Sequence, residues 1–174
     1  SAYSADFLEE NSVKDVFDLM TSVPGLIVSA NNTASTSNFS IRGIGTGGQN
    51  FGLESSVGLY VDGAYRSRQS SMINQLVDIE SIEVLRGPQG TLFGKNTSSG
   101  ALLVRTKAPS HDQDSYVELG MGSDSLENFN AAFNYSIIDG ELASRTTVFT
   151  STRDGFVELT NVPGVKLNER DRTG

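Results

Sequence analysis

From residue 116 onward, apolar and polar side chains alternate with a period of two. Val117, Leu119 and Met121 share one side of a run whose other side carries Tyr116, Glu118 and two glycines. Phe129, Ala131, Phe133 and Tyr135 then share a side, opposite Asn128, Asn130, Ala132 and Asn134. Period two predicts extended strands, because successive side chains of a pleated chain point to opposite faces. Asp139 and Gly140 predict a two-residue hairpin turn into a third strand over 142–152, whose alternation is blurred because Phe149 shares parity with Arg145.

The chain before residue 110 has shorter elements. Val13, Val16, Phe17 and Met20 recur at helical spacing after Ser12, a capping residue with Asp15 three positions on, and Pro24 and Gly25 end the helix. Strands are expected over 26–30, 39–45, 57–65, 79–85 and 101–106, with a tight turn at Asp62 and Gly63 and a short helix over 72–79. Lys107, Ala108 and Pro109 mark a boundary between this part and the longer strands.

Strands of about ten residues with one apolar and one polar face suit a membrane barrel, and equally a soluble sheet with one wet face. From alternation alone the soluble sheet is favoured, and three strands are in any case fewer than the roughly eight that close a barrel. No run of about 18 apolar residues predicts a membrane helix. Residues 1–10, SAYSADFLEE, lack a basic-then-apolar leader pattern, and NERDRTG ends without a turn or cap signal, as a cut chain would.

Thirteen basic against 21 acidic residues give a formal net charge of −8, which opposes nucleic-acid binding because counterion release needs a basic patch. The absence of cysteine removes disulfides and thiolate metal sites. Eighteen glycines in 174 residues point to many turns.

The glycines also raise two nucleotide-binding candidates. GPQGTLFGKNTSSG, residues 87–100, resembles a phosphate loop, but only three residues separate Gly90 from Gly94, and Asn96 follows Lys95 where a hydroxyl should ligate magnesium. TSSGALLVRT, residues 97–106, reads as a turn and a strand, without the helix whose N-terminus would hold phosphate. GIGTGG, residues 43–48, matches the dinucleotide pattern in letters but opens no helix either. His111 stands in a polar linker with Asp112 and Asp114, in no metal-ligand spacing, and Ser98 and Ser99 have no histidine base. Neither catalysis, a cofactor nor a metal is expected.

Read together and in order, SIRGIG (40–45), VGLYVDGAY (57–65) and DIESIEVLRGPQGTLFGKNTSSGALLVRTKAP (78–109) resemble the plug domain of TonB-dependent outer-membrane receptors. DVFDLMTSVPGLIV (15–28) fits the opening helix and strand of that family, and RDGF (153–156) fits its first barrel strands. The resemblance implies an α+β fold: a plug domain over 1–109, with a small mixed β-sheet and short helices, then antiparallel β-strands of an incomplete transmembrane β-barrel over 110–174. It implies a gate for active uptake of a scarce nutrient such as a siderophore-iron chelate, in the bacterial outer membrane, driven by a TonB-type energy-coupling protein. No energy-coupling box is evident in SAYSADFLEE.

The same resemblance carries the residue roles. Arg42 and Arg86 match arginines that latch the plug to glutamates of the barrel wall. On residue chemistry alone, solvated strand-end charges remain an equal reading. Gly43, Gly87, Pro88, Gly90, Gly94 and Gly100 match plug-loop positions, where glycine permits sharp turns and close backbone approach. Gln49, Asn50, Phe51, Tyr65, Arg66 and Arg68 fall on loops that face ligand in the family. The other reading of the whole is a soluble β-rich binding or adhesion domain without a transport role.

Overall fold

A computed structural model of the protein describes residues 1–30, 37–46, 55–67, 76–155, 157–158, 166–167 and 169–174. Its contacts divide the chain into two compact units, Ser1–Lys107 and Ala108–Gly174.

The first unit runs β1 (Ala2–Ser4), α1 (Ala5–Glu10), α2 (Val16–Ser22), β2 (Leu26–Ala30), β3 (Ser37–Ile41), β4 (Ile44–Gly45), β5 (Val57–Val61) and β6 (Ala64–Tyr65). It continues with β7 (Ile79–Arg86), the single turn α3 (Gly90–Phe93) and β8 (Gly100–Thr106). One sheet has the order β1-β7-β8-β5-β6, with β5 parallel to β8 and the other pairs antiparallel. A second, antiparallel sheet has the order β2-β3-β4. The fold class read from the resemblance, a small mixed sheet with short helices, is what forms.

Period two decides the core. Ile82 and Val84, Leu102 and Val104, and Val57 and Leu59 occupy one face of the mixed sheet and are buried with Val16, Leu19 and Val23 around α2 and with Leu26, Val28, Phe39 and Ile41 of the second sheet. Fully burying side chains of this size contributes about 1.5–3 kcal/mol each.

Several local expectations are corrected. The helix starts at Val16, not after Ser12, whose φ of 52° lies outside helical space. Asp15 is the cap: its carboxylate accepts from Phe17 N at 2.9 Å and Asp18 N at 3.1 Å, and the Asp18 carboxylate accepts from Asp15 N at 3.2 Å. Together these bonds satisfy three backbone donors of the first turn, more than a lone Ser12 hydroxyl could reach. Asp15→Ala is therefore expected to lower the stability of the first unit by about 1 kcal/mol, read as an earlier urea midpoint; an unchanged midpoint contradicts the cap.

Residues 39–45 form a hairpin instead of one strand. Arg42 and Gly43, at φ 54° and 78°, turn the chain so that Ile41 pairs with Ile44. Of the expected helix over 72–79, residues 72–75 lie outside the described residues; residues 76–78 are not helical, Asp78 has φ 57°, and Ile79 begins β7. The N-terminal segment, which carried no pattern, supplies β1, paired with β7 from Ala2 opposite Glu83 to Ser4 opposite Ser81.

In the second unit β9 (Tyr116–Gly122), β10 (Leu126–Ile138) and β11 (Leu142–Arg153) precede β12 (Val157–Glu158), β13 (Lys166–Leu167) and β14 (Arg170–Thr173). An antiparallel sheet of order β14-β11-β10-β9 results, beside a β12-β13 ribbon. It is an unclosed sheet. The turn between β10 and β11 takes three residues instead of two: Ile138 pairs with Leu142, a register shift follows, and Glu141 N donates to Ile138 O at 3.0 Å.

Candidate functional site

The glycine-rich loop after β7 folds onto the sheet face opposite the core. Gly87 N donates to Ser99 O at 3.1 Å and Gln89 N to Thr97 O at 2.9 Å, so the two ends of the loop zip together. Thr97, fully buried, donates its hydroxyl to Gly94 O at 2.8 Å. Tyr60, on the non-core face of β5, donates to Phe93 O at 2.8 Å and packs on the Phe93 and Tyr65 rings at 5.0 and 5.4 Å. Asn96 Nδ2 reaches the Tyr65 hydroxyl at 3.0 Å. Burial, and secondarily the neighbouring Tyr65, push the Tyr60 phenol above its ordinary pKa.

Three of the four glycines of the loop have a local reason. A Cβ on Gly100, whose φ is 151°, would collide with Leu85 O and lie 2.7 Å from Ile41 Cδ1. Gly87 and Gly94 take φ of 88° and 74° with open space around them. Gly90 shows neither a positive φ nor a close neighbour, so close approach does not explain it. Pro88 is exposed. Sequence reasoning missed Gly58, where a Cβ would strike the Thr97 methyl group: its absent side chain is what lets the loop lie on β5.

This geometry is no phosphate cradle. The only turn of helix in the loop, α3, is four residues long and ends before Lys95, with Phe93 N donating to Gln89 O and Gly94 N to Gly90 O, each at 3.0 Å. After Lys95 the chain enters β8.

The two arginine segments meet. Arg86 ends β7 on the face of Ile82 and Val84, opposite Gly100 in the register. Ile41, next to Arg42, reaches the same Gly100. Arg42 is exposed in its turn with Gly43, held through its backbone N to Gly25 O at 2.7 Å. Arg86 Nε is buried and has no hydrogen-bond partner among the described residues. A buried donor left unpaired costs about 1–3 kcal/mol, more on a charged group.

Of the expected ligand-facing residues, Tyr65 and Arg66 are exposed at the end of the β5-β6 hairpin, with Arg66 N donating to Leu59 O at 2.8 Å. Gln49, Asn50, Phe51 and Arg68 lie outside the described residues.

The sheet of the second unit inverts the usual order of a soluble protein. Val117, Leu119 and Met121 are 59%, 74% and 90% exposed, and Phe133, Tyr135 and Val148 on the same face are also exposed. Asn130, Asn134 and Ser151, on the other face, are buried. Their polar groups meet one another: Asn130 donates to Glu118 at 3.2 Å and Ser151 to Asn128 at 2.6 Å. A sheet with one wet face buries its apolar side, so alternation alone favoured the wrong alternative. A contiguous exposed apolar face marks a surface that meets something apolar.

Comparison with known proteins gives the family and the fold. Residues 1–101 match the family model described as TonB-dependent Receptor Plug Domain. The chain is 34% identical over 154 residues to the pesticin receptor of Yersinia enterocolitica, covering 87% of this chain and 22% of that protein. The crystal structure of the ferric yersiniabactin uptake receptor from Yersinia pestis superposes with a TM-score of 0.85 at 30% identity, over 97% of this chain and 26% of that one. The pyoverdine outer membrane receptor of Pseudomonas aeruginosa shares the fold at a TM-score of 0.74 and 21% identity, over 90% of this chain and 22% of that one. The chain thus spans about a fifth to a quarter of the length of these relatives.

Proposed function

The chain belongs to the TonB-dependent receptor plug-domain family, and from that premise we propose that residues 1–109 are the plug and gate of an outer-membrane uptake receptor and residues 110–174 the first strands of its barrel. The observation that carries this reading is the inverted sheet: an apolar face exposed beside a polar face buried. Lipid outside and a polar lumen inside require that arrangement. It also counts against the soluble adhesion domain, which would expose this apolar face to water.

The cargo is a ferric siderophore, as the names of the ferric yersiniabactin and pyoverdine receptors suggest. Tyr65 and Arg66 contact it, together with Gln49, Asn50, Phe51 and Arg68. Cationic groups suit an anionic chelate. A TonB-type partner drives the gate. The full receptor is expected to bind a ferric siderophore in preference to cobalamin and oligosaccharide at equal concentration; preference for either of the others contradicts the cargo assignment.

Arg42 and Arg86 latch the plug to carboxylates of barrel strands beyond this chain. The unpartnered Arg86 Nε supports the latch, since a buried donor on a charged group costs free energy until it is paired. Arg86→Ala in the full receptor should speed amide exchange in β7 and β8 about tenfold or more at unchanged expression. Equal exchange in both proteins would remove the latch.

A further inference from the structure

In the second unit, polar side chains of one sheet face fasten the segment that leads into β9. Asn134 is buried, and its carboxamide is fully used. Nδ2 donates to Ser110 O and Asp112 O, each at 2.6 Å, and to Ser110 Oγ at 3.1 Å, while Oδ1 accepts from Ser110 N at 3.1 Å. The β9 ladder ends with Tyr116 opposite Ala132, so the Asn134 backbone N–H has no strand partner there; it donates to Ser115 Oγ at 3.0 Å. Arg145, the residue opposite Asn134 in the β10-β11 register, has a side chain only 3% exposed. It donates to Asp114 O at 2.8 Å and Asp114 Oδ2 at 3.2 Å. His111 Nδ1 lies 2.9 Å from Ser136 Oγ, two residues along β10 on the same face.

A solvated linker spends its polar groups on water. Here five of six consecutive residues, 110, 111, 112, 114 and 115, are bonded to Asn134, Ser136 or Arg145. Several of these bonds are charge-assisted or converge on one buried carboxamide, which makes the group rigid. We propose that residues 110–115 are a clamped strap, which stops a pull on the first unit at Ser110 and keeps it from reaching the β9-β10 ladder. A strand loaded at its end opens one pair at a time, whereas the strap's bonds share a load and must fail together. The mechanical role rests on the reading of the first unit as a pulled gate; the strap itself is tested without cargo or coupling partner.

In the full receptor in lipid vesicles, exchange at the Ser110 amide should be slowed at least about a hundredfold relative to an unfolded peptide. Asn134→Asp keeps the side chain's shape and its acceptor, but turns a carboxylate toward the Ser110 and Asp112 carbonyls. It should raise Ser110 exchange about tenfold or more, with the amides of residues 129–132 still protected; Asn134→Ala should do the same. Pulled from its N-terminus, the Asn134→Asp receptor should release about 20 Å more chain than the wild type before the next rupture, the length of the strap at about 3.3–3.6 Å per residue. Wild-type exchange at Ser110 as fast as in an unfolded peptide, or equal released lengths, would overturn the strap. Failure of cargo binding with both strap results intact would count against the uptake reading alone.

Discussion

Leu119→Arg is expected to destabilise the full-length receptor in phospholipid vesicles by about 2–4 kcal/mol, the cost of a cation on the lipid face of a barrel. Leu119 is 74% exposed and stands on the face with Val117 and Met121. On a protein surrounded by water, so exposed a leucine tolerates substitution within about 0.5 kcal/mol. Leu92 supplies the internal control. It is 79% exposed on the loop of the first unit, and Leu92→Arg should change stability by no more than that small amount. Two leucines of similar exposure should thus differ several-fold in cost if Leu119 alone faces hydrocarbon. Equal effects at both positions, measured by urea unfolding in vesicles, would return the second unit to the soluble class.

Gly100→Val should cost the first unit about 3 kcal/mol. Two costs add. The φ of 151° is one that β-branched side chains rarely adopt, and the new atoms would meet the Leu85 carbonyl and the Ile41 side chain. The carbonyl belongs to a ladder that cannot yield without opening β7 from β8, so relaxation is limited. Gly90→Ala, ten residues earlier in the same loop, meets nothing within 4 Å and should stay within about 0.5 kcal/mol. Denaturation midpoints of the two variants check the pair, and a Gly90 effect as large as that at Gly100 would mean that the loop adopts another path.

Much of the first unit was legible because its strands are short apolar runs bounded by Gly, Pro and Asp, and because the stripe of α2 is long enough to show. The misplaced cap at Ser12 shows what a linear pattern lacks: both Ser12 and Asp15 are capping residues, and only the reciprocal bond from Asp18 selects between them. Residues 2–4 become a strand solely because the edge of β7 accepts them, which no local signal announces. Gly58 carries no signal of its own in the sequence, and its purpose appears only when Thr97 is seen to lie on it. Asn134 and Arg145 were invisible for a related reason. A polar residue on an alternating strand reads as solvated, while here the polar face is the buried one. Alternation is identical in the two cases; exposure alone separates them.

The most direct measurement is ionic conductance of the full receptor in a planar bilayer, with and without residues 1–107. If the first unit is a stopper in a barrel that begins with β9, the intact protein stays closed to ions and the deleted form conducts steadily. A deleted form that remains in the bilayer as a folded barrel and conducts no more than the intact protein would contradict it.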